Sequence, residues 1–222
     1  MFNNKKDVSA RKGQKMANSK FIDTKIRTWF KMNNIKRNGS MSKEDFEEIA
    51  EIFKREYHLK ESQHTVLVKW LRDGWDVLLK EGKDLAKAGK QGGLTPDNTP
   101  LVFEVTDILN TGGAITEDHY AKAFEQLVEV NKKLFQTTFE KMVSTFFDIY
   151  DTDGDGFIDV SDMIRGLRCL GIQQDEAAKI MFANMDTENE GKISKSVYIA
   201  EWVEFMLGNK KDAAIASVLC RK

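Results

Sequence analysis

The densest group of chemically active side chains lies between residues 151 and 162, in the run DTDGDGFIDVSD. Its carboxylates alternate along the chain, so they can point at one cation, and carboxylates this crowded repel one another unless a hard cation is present. We predict oxygen ligands at loop positions 1, 3, 5, 7, 9 and 12, supplied in that order by Asp151, Asp153, Asp155, the backbone carbonyl of Phe157, Asp159 and Asp162. Gly156, at position 6, permits the sharp turn that wraps the chain round the ion. The sequence therefore predicts a twelve-residue loop that binds Ca²⁺.

Position 12 departs from the residue that usually closes such a loop. Asp162 is one methylene shorter than glutamate, so it reaches the ion with both oxygens less easily. A coordination number near six suits Mg²⁺ better than Ca²⁺, because Mg²⁺ favours octahedral geometry. We therefore predict one principal site that binds Ca²⁺ more weakly than a glutamate-closed loop does, with appreciable competition from Mg²⁺.

Three further stretches keep glycine at position 6 and an apolar residue at position 8 but lack a full ligand set. In 186–197, Val197 stands where the closing carboxylate belongs, so we predict no metal binding or weak binding. In 34–45, Lys36 places a positive charge at ligand position 3, and loss of metal is predicted. The frame that ends at His119 offers no credible ligands, and His119 itself is interpreted as a solvated helix residue.

Apolar residues at helical spacing flank these loops and must position them. The pattern predicts helices that begin at Ser19 and near Ser42, then helices over about 61–80, 116–135 and 137–150, and two further helix–loop–helix passages that end near residue 207. We predict that the position-8 residues join the loops through short strands, Met41 with Ile115 and Ile158 with Ile193. The predicted fold class is all-α, with four helix–loop–helix motifs in two pairs within one compact body.

The domain organisation follows from these elements. We predict a basic disordered tail over 1–18, an N-terminal pair of motifs over 19–135, a C-terminal pair over 136–207, and a C-terminal tail over 208–222 that can fold back on the body. The N-terminal pair has degenerate loops and an insertion over about 82–112. Two assignments of its second motif stay open. Either the helix over 61–80 enters it, or the apolar segment 101–109, helical or extended, does so instead.

Composition limits the classes of function. The 222 residues carry a net charge of −1, which gives no general basic surface for nucleic acid. Residues 1–20 hold six Lys or Arg against one Asp, so the basic tail would make at most weak contact with an anionic membrane surface. No apolar run reaches the roughly 18 residues that a membrane span needs. Two cysteines give no disulfide framework, which favours a reducing compartment, and we expect a cytoplasmic monomer.

The motifs resemble one known family. The chain is similar to invertebrate sarcoplasmic calcium-binding proteins, including calexcitin-like members, and to the related luciferin-binding proteins and photoproteins. The resemblance covers about residues 19–207 and is carried by WFKMNNIKRNGSMSKEDF, VKWLRDGWDVLLKEG, GAITEDHYAKAF and FFDIYDTDGDGFIDVSDM. It implies four EF-hands in two pairs, with a second hand that has lost its metal.

The resemblance also implies a function. It favours a cytosolic calcium-binding protein that acts as a buffer, or as a sensor that exposes an apolar groove to a target protein. The alternative is a carrier of an apolar small molecule, such as a coelenterazine-type luciferin, whose holding or release is controlled by calcium. Aromatic pairs at helical spacing, such as Trp70 with Trp75 and Trp202 with Phe205, are interpreted as core. No arrangement of nucleophile and base is apparent, so no enzyme activity is expected.

Overall fold

The computed structural model describes residues 20–73 and 113–220 of the chain. Several predictions fall outside these residues: the basic tail 1–18, the helix start at Ser19, the insertion over 82–112, the segment 101–109, and the last residues of the predicted helix 61–80 with Trp75. Both assignments of the second motif therefore stay open.

Residues 20–73 form three helices and one short strand. Its elements are α1 (residues 20–33), β1 (Ser40–Met41), α2 (Lys43–Tyr57) and α3 (Glu61–Val68), which continues into a wider π-helical turn over Lys69–Asp73. Helix α2 shows why the boundaries fall where they do. The Asp45 carboxylate accepts the backbone N–H of Ser42 and closes the start of the helix, and His58 ends it in a left-handed conformation.

The C-terminal part contains the remaining elements. They are β2 (Ile115–Thr116), α4 (Glu117–Tyr150), β3 (Phe157–Ile158), α5 (Val160–Cys169), α6 (Asp175–Met185), β4 (Ile193–Ser194), α7 (Lys195–Leu207) and α8 (Ala216–Leu219). The strands pair as the position-8 pattern predicts. Met41 lies opposite Ile115 and Ile158 lies opposite Ile193, in antiparallel register. The all-α class with paired helix–loop–helix motifs is therefore confirmed.

One predicted helix boundary is wrong. The sequence pattern predicts separate helices over 116–135 and 137–150, whereas α4 runs without interruption for 34 residues. No glycine or proline lies within it, and Phe135 stacks on Phe139 one turn later, so the apolar stripe continues across the expected break. Helix α4 therefore leaves the second motif and enters the third, and the division at 135/136 falls inside it.

The two halves of the molecule share one apolar core. Trp29 of α1 makes edge contacts with Phe139 of α4 and Trp202 of α7, with ring centroids 5.7 and 5.6 Å apart. Trp202 and Phe205 are fully buried, as predicted, and Trp70 is half-buried. Val66 of α3 is 47% exposed. These aromatic contacts join the two halves in one continuous core.

The end of the described chain lies against the body, in agreement with the sequence. Ala214, Ile215 and Ala216 are buried, and Asn184 of α6 donates a hydrogen bond to the carbonyl of Ala214. Within residues 20–73 and 113–220, no helix is both long enough and apolar enough to cross a membrane.

Candidate metal centre

The predicted calcium loop lies between the end of α4 and the start of α5. Asp151 is the first residue after α4, and its backbone N–H still donates to Phe147 at 2.9 Å. Its carboxylate then turns back over the loop. Oδ1 accepts the N–H groups of Gly154 and Asp155 at 2.9 and 3.1 Å, and Oδ2 accepts that of Gly156 at 3.0 Å. The loop backbone is thus folded round one carboxylate.

The first three predicted ligands are brought together. Carboxylate oxygens of Asp151, Asp153 and Asp155 all lie within 4.8 Å of one another. The Asp155 carboxylate accepts the N–H of Phe157 at 2.8 Å, which fixes its orientation. Gly156 has φ of +87°, a conformation that side chains rarely adopt, so glycine is required at this position. Three converging carboxylate oxygens form the kind of site that a hard divalent cation occupies.

The last two predicted ligands, Asp159 and Asp162, sit at the start of α5. Asp159 Oδ1 accepts the N–H groups of Ser161 and Asp162 at 2.7 and 2.9 Å. In return, the N–H of Asp159 donates to Asp162 Oδ2 at 3.1 Å. Each carboxylate uses one oxygen to cap the helix, so one oxygen of each is available for a cation.

The electrostatics of the loop act most strongly on Asp162. Partial burial raises the pKa of its carboxyl group, and the nearby negative charges of Asp159, Asp153 and Asp151 raise it further. A divalent cation would relieve both effects, because it replaces lost hydration and neutralises the repelling carboxylates.

The strand contact behind the loop holds the fourth predicted ligand, the backbone carbonyl of Phe157. Phe157 lies in β3 opposite Ser194, and the ammonium of Lys192 sits 4.3 Å from the centre of its ring. Ile158, the next residue, is buried against Ile193. The backbone of Phe157 is therefore fixed by the partner loop, which suits a carbonyl ligand.

The partner loop, Asp186–Val197, keeps the fold of a calcium loop without its closing ligand. The Asp186 carboxylate accepts the N–H groups of Glu190 and Gly191 at 2.9 and 2.8 Å, as Asp151 does at the same positions of its own loop. Val197 occupies position 12 and is 37% exposed. The arrangement favours a structural role for this loop, as the partner of the calcium loop, over metal binding.

The loop over 34–45 contains a contact that sequence reasoning missed. The ammonium of Lys36 at position 3 lies 3.0 Å from Oδ1 of Asp45 at position 12. The positive charge was visible in the sequence, but its pairing with the closing carboxylate depends on how the loop folds. The fourth frame has its first five positions outside the described residues, and His119 is half-buried in the first turn of α4.

A second contact that the sequence did not predict holds α5 to the N-terminal half. Arg165, one turn after Asp162, donates to the backbone carbonyl of Glu56 and, at 3.1 Å, to its carboxylate. Its guanidinium also lies 4.2 Å from the centre of the Tyr57 ring. We call this contact the α5 clasp. Residues so far apart in the chain give no local signal of such a contact.

Comparison with known proteins agrees with this geometry. Residues 139–202 match the family model of an EF-hand domain pair. The sarcoplasmic calcium-binding protein of Mizuhopecten yessoensis is 20% identical to this chain over 186 residues, which are 84% of this chain and 89% of that protein. Centrin-1 of Bos taurus is 39% identical over 61 residues, which are 27% of this chain and 36% of centrin-1. The chain thus spans about a third of that second relative.

Solved structures show the same fold over most of the chain. The Ca²⁺-regulated photoprotein mitrocomin from the jellyfish Mitrocoma cellularia matches with a TM-score of 0.64 at 16% identity, covering 91% of each chain. The coelenterazine-binding protein from Renilla muelleri matches with a TM-score of 0.58 at 18% identity, covering 91% of this chain and 96% of that one. With the matched domain pair, these similarities confirm the resemblance seen in the sequence: residues 139–202 match an EF-hand domain pair, and most of the chain has the fold of these solved structures.

Proposed function

We propose that the protein binds one Ca²⁺ ion at Asp151–Asp162 as its principal site. The supporting observation is the convergence of the Asp151, Asp153 and Asp155 carboxylates within 4.8 Å. In the other two loops whose ligand positions are described, Lys36 and Val197 stand at ligand positions. Both cysteines are free, which favours a reducing compartment, and we place the protein in the cytosol as a monomer.

The ligand set supplies about six oxygens. Asp151, Asp153 and Asp155 give one each, and the Phe157 carbonyl gives a fourth. Asp159, directly or through a water molecule, and the remaining oxygen of Asp162 complete the shell. Six oxygens lie at the low end of the range for Ca²⁺ and match Mg²⁺, so the two ions compete for the site.

We further propose that calcium stabilises a closed body. A sensor opens by swinging the helix that follows its calcium loop, and here that helix is α5. The α5 clasp ties it to Glu56 and Tyr57 of the N-terminal half. At its other end, Gly171 packs against the backbone carbonyl of Met32. Swinging α5 would break both contacts, so loading is expected to change the shape of the body little.

Calorimetric titration tests the site. We expect one Ca²⁺ per wild-type chain and loss of that binding in Asp151→Ala, because the loop backbone folds round this carboxylate. Asp186→Ala is the matched control, since Asp186 makes the same contacts in the partner loop. It is expected to retain one ion. Calcium binding that survives in Asp151→Ala and disappears in Asp186→Ala would move the site to the partner loop.

A dye that fluoresces on apolar surfaces distinguishes the closed body from a sensor. The closed body predicts no increase in dye fluorescence when calcium is added to the wild type. A calcium-dependent increase would assign the protein to the sensors, with a target protein as its partner.

A carrier of an apolar small molecule is the second candidate. The interior is aromatic, and the hydroxyl of Tyr57 is buried without a hydrogen bond to any described residue. Such a hydroxyl can recognise a polar group on an otherwise apolar ligand. The fold is also that of a coelenterazine-binding protein. Titration with coelenterazine, followed by quenching of tryptophan fluorescence with and without calcium, tests this role, and unchanged fluorescence would exclude it for this ligand.

A further inference from the structure

The carboxylate that closes the first loop is buried and paired with a cation from its own chain. Asp45, at position 12 of the 34–45 loop, is 2% exposed. Its Oδ1 lies 3.0 Å from the ammonium of Lys36. A buried carboxylate is costly unless a cation compensates it. Pairing with Asp45 also raises the pKa of Lys36, so the ammonium stays charged.

The backbone of this loop matches that of the calcium loop at corresponding positions. The N–H at position 9 donates to the carboxylate at position 12 in both, from Ser42 to Asp45 at 2.7 Å and from Asp159 to Asp162 at 3.1 Å. The N–H at position 7 donates to the side-chain oxygen at position 5 in both, to Asn38 in one and to Asp155 in the other. The two closing carboxylates thus use one oxygen for the helix cap and have the other left for a cation.

Position 1 of the first loop carries a further sign of a cation site. Asn34 is 4% exposed, and its side-chain carbonyl oxygen makes no hydrogen bond to any described residue. A buried oxygen without a donor is unfavourable, whereas at position 1 it belongs to the ligand set of the loop. Asp151 holds the same position in the calcium loop, where backbone N–H groups satisfy its carboxylate.

We infer that the first hand carries a built-in cation: the Lys36 ammonium takes the place of a metal ion by neutralising Asp45, and so keeps the 34–45 loop folded at every calcium concentration. This inference rests on the proposed function in one respect, since it confines the calcium response to the loop at Asp151–Asp162. The cation that the first loop holds is then a primary ammonium group from the chain itself.

The first experiment measures thermal unfolding without calcium. Under this condition, calcium binding at Asp151–Asp162 adds nothing to the stability of the folded chain. Lys36→Met keeps the length of the side chain and removes the charge. We expect its midpoint to fall by roughly 2–4 °C or more below the wild type. The matched control is Lys54→Met, which removes another lysine of the N-terminal half that is paired with a carboxylate, at 2.8 Å, but whose partner Glu61 is exposed. The control is expected to shift the midpoint by much less.

The second experiment replaces the built-in cation with a ligand. Lys36→Asp, placed in an Asp151→Ala background, leaves an oxygen ligand at positions 1, 3, 5 and 12 of the first loop. Calorimetry is expected to show one Ca²⁺ in the double variant and none in Asp151→Ala alone. Calcium should also raise the unfolding midpoint of the double variant by several degrees, because a ligand that binds only the folded state stabilises it.

The outcomes separate this inference from the proposed function. Equal midpoints for Lys36→Met and Lys54→Met, or no calcium binding by a folded double variant, would overturn the built-in cation. Retention of calcium by Asp151→Ala would overturn the proposed site, while the calcium-free comparison of the two methionine variants would still stand. If Lys36→Asp does not fold without calcium, refolding on calcium addition supports the inference, and failure to refold contradicts it.

Discussion

At the scale of single residues, Asp162 has two tasks in the proposed site. One of its oxygens accepts the N–H of Asp159 and caps α5, and the other is left for the ion. A glutamate is one methylene longer and can offer two oxygens to the ion. We therefore predict that Asp162→Glu increases the affinity for Ca²⁺ by about tenfold, which corresponds to roughly 1.4 kcal/mol, and weakens competition by Mg²⁺. Calorimetric titration with Ca²⁺ in the presence and absence of Mg²⁺ measures both changes.

Asp162→Asn is the control for this prediction. It keeps the length and one carbonyl oxygen but removes the charge, so calcium affinity is expected to fall. If glutamate and aspartate give equal affinities for both ions, the length of the side chain at position 12 does not set the preference. The six-oxygen shell would then be wrong.

The convergence of the first three predicted ligands could be foreseen from the sequence because their spacing is local. Asp151, Asp153 and Asp155 lie within five residues, and one turn of backbone brings them together. The role of Asp159 and Asp162 as a helix cap follows the same local rules. The ion pair between Lys36 and Asp45 was not foreseen, because a flexible lysine at position 3 can turn into the loop or out to solvent. Only the folded loop shows which direction it takes.

At the scale of secondary structure, α4 is the element that the sequence did not predict correctly. The four-motif layout needs an exit helix and an entrance helix, and threonines at 137 and 138 resemble a helix start. In the structure Thr138 is buried within the helix, and Gln136 donates a hydrogen bond to Glu140 one turn later at 2.8 Å. Side-chain packing on both sides of residue 136 overrides the weak start signal.

Proline at residue 137 tests the continuity of α4. In the interior of a helix, Thr137→Pro removes a backbone hydrogen bond and clashes with the preceding turn, so we expect a loss of about 3 kcal/mol in the free energy of unfolding. If a new helix began at residue 137, proline would be tolerated there, because the first turn has no such hydrogen bond. Urea unfolding measures the loss, and Thr137→Ala is the control, with a change near zero because Thr137 is exposed. Near-equal stability of the proline and alanine variants would contradict a continuous helix.

At the scale of the whole molecule, a buried lysine joins the first helix to the last segment of the described chain. Lys25 of α1 is 1% exposed, and its ammonium donates to the carbonyl of Gly208, just after α7. The Phe21 ring lies 4.9 Å from the same ammonium. Sequence reasoning could not foresee this burial, since a lysine on a helix is normally solvated and its partner lies 183 residues away. The contact makes closure of the molecule depend on pH.

Burial lowers the pKa of Lys25 from 10.5 to about 8, and the charge of Glu204 opposes part of this shift. Below about pH 8 the group is charged in both the folded and the unfolded chain, so the cost of burying the charge is fully present. Between about pH 8 and 10.5 the unfolded chain holds more protons than the folded one, and stability therefore rises with pH. We predict that the free energy of unfolding of the wild type gains up to about 3 kcal/mol relative to Lys25→Met across this window.

Urea unfolding at several pH values measures the gain. Lys31→Met, which removes an exposed lysine from the same helix, is expected to run parallel to the wild type. If the free energy of unfolding of Lys25→Met also changes with pH in parallel with the wild type, the ammonium is solvated. In that case α1 and the C-terminal segment are joined by apolar contacts alone.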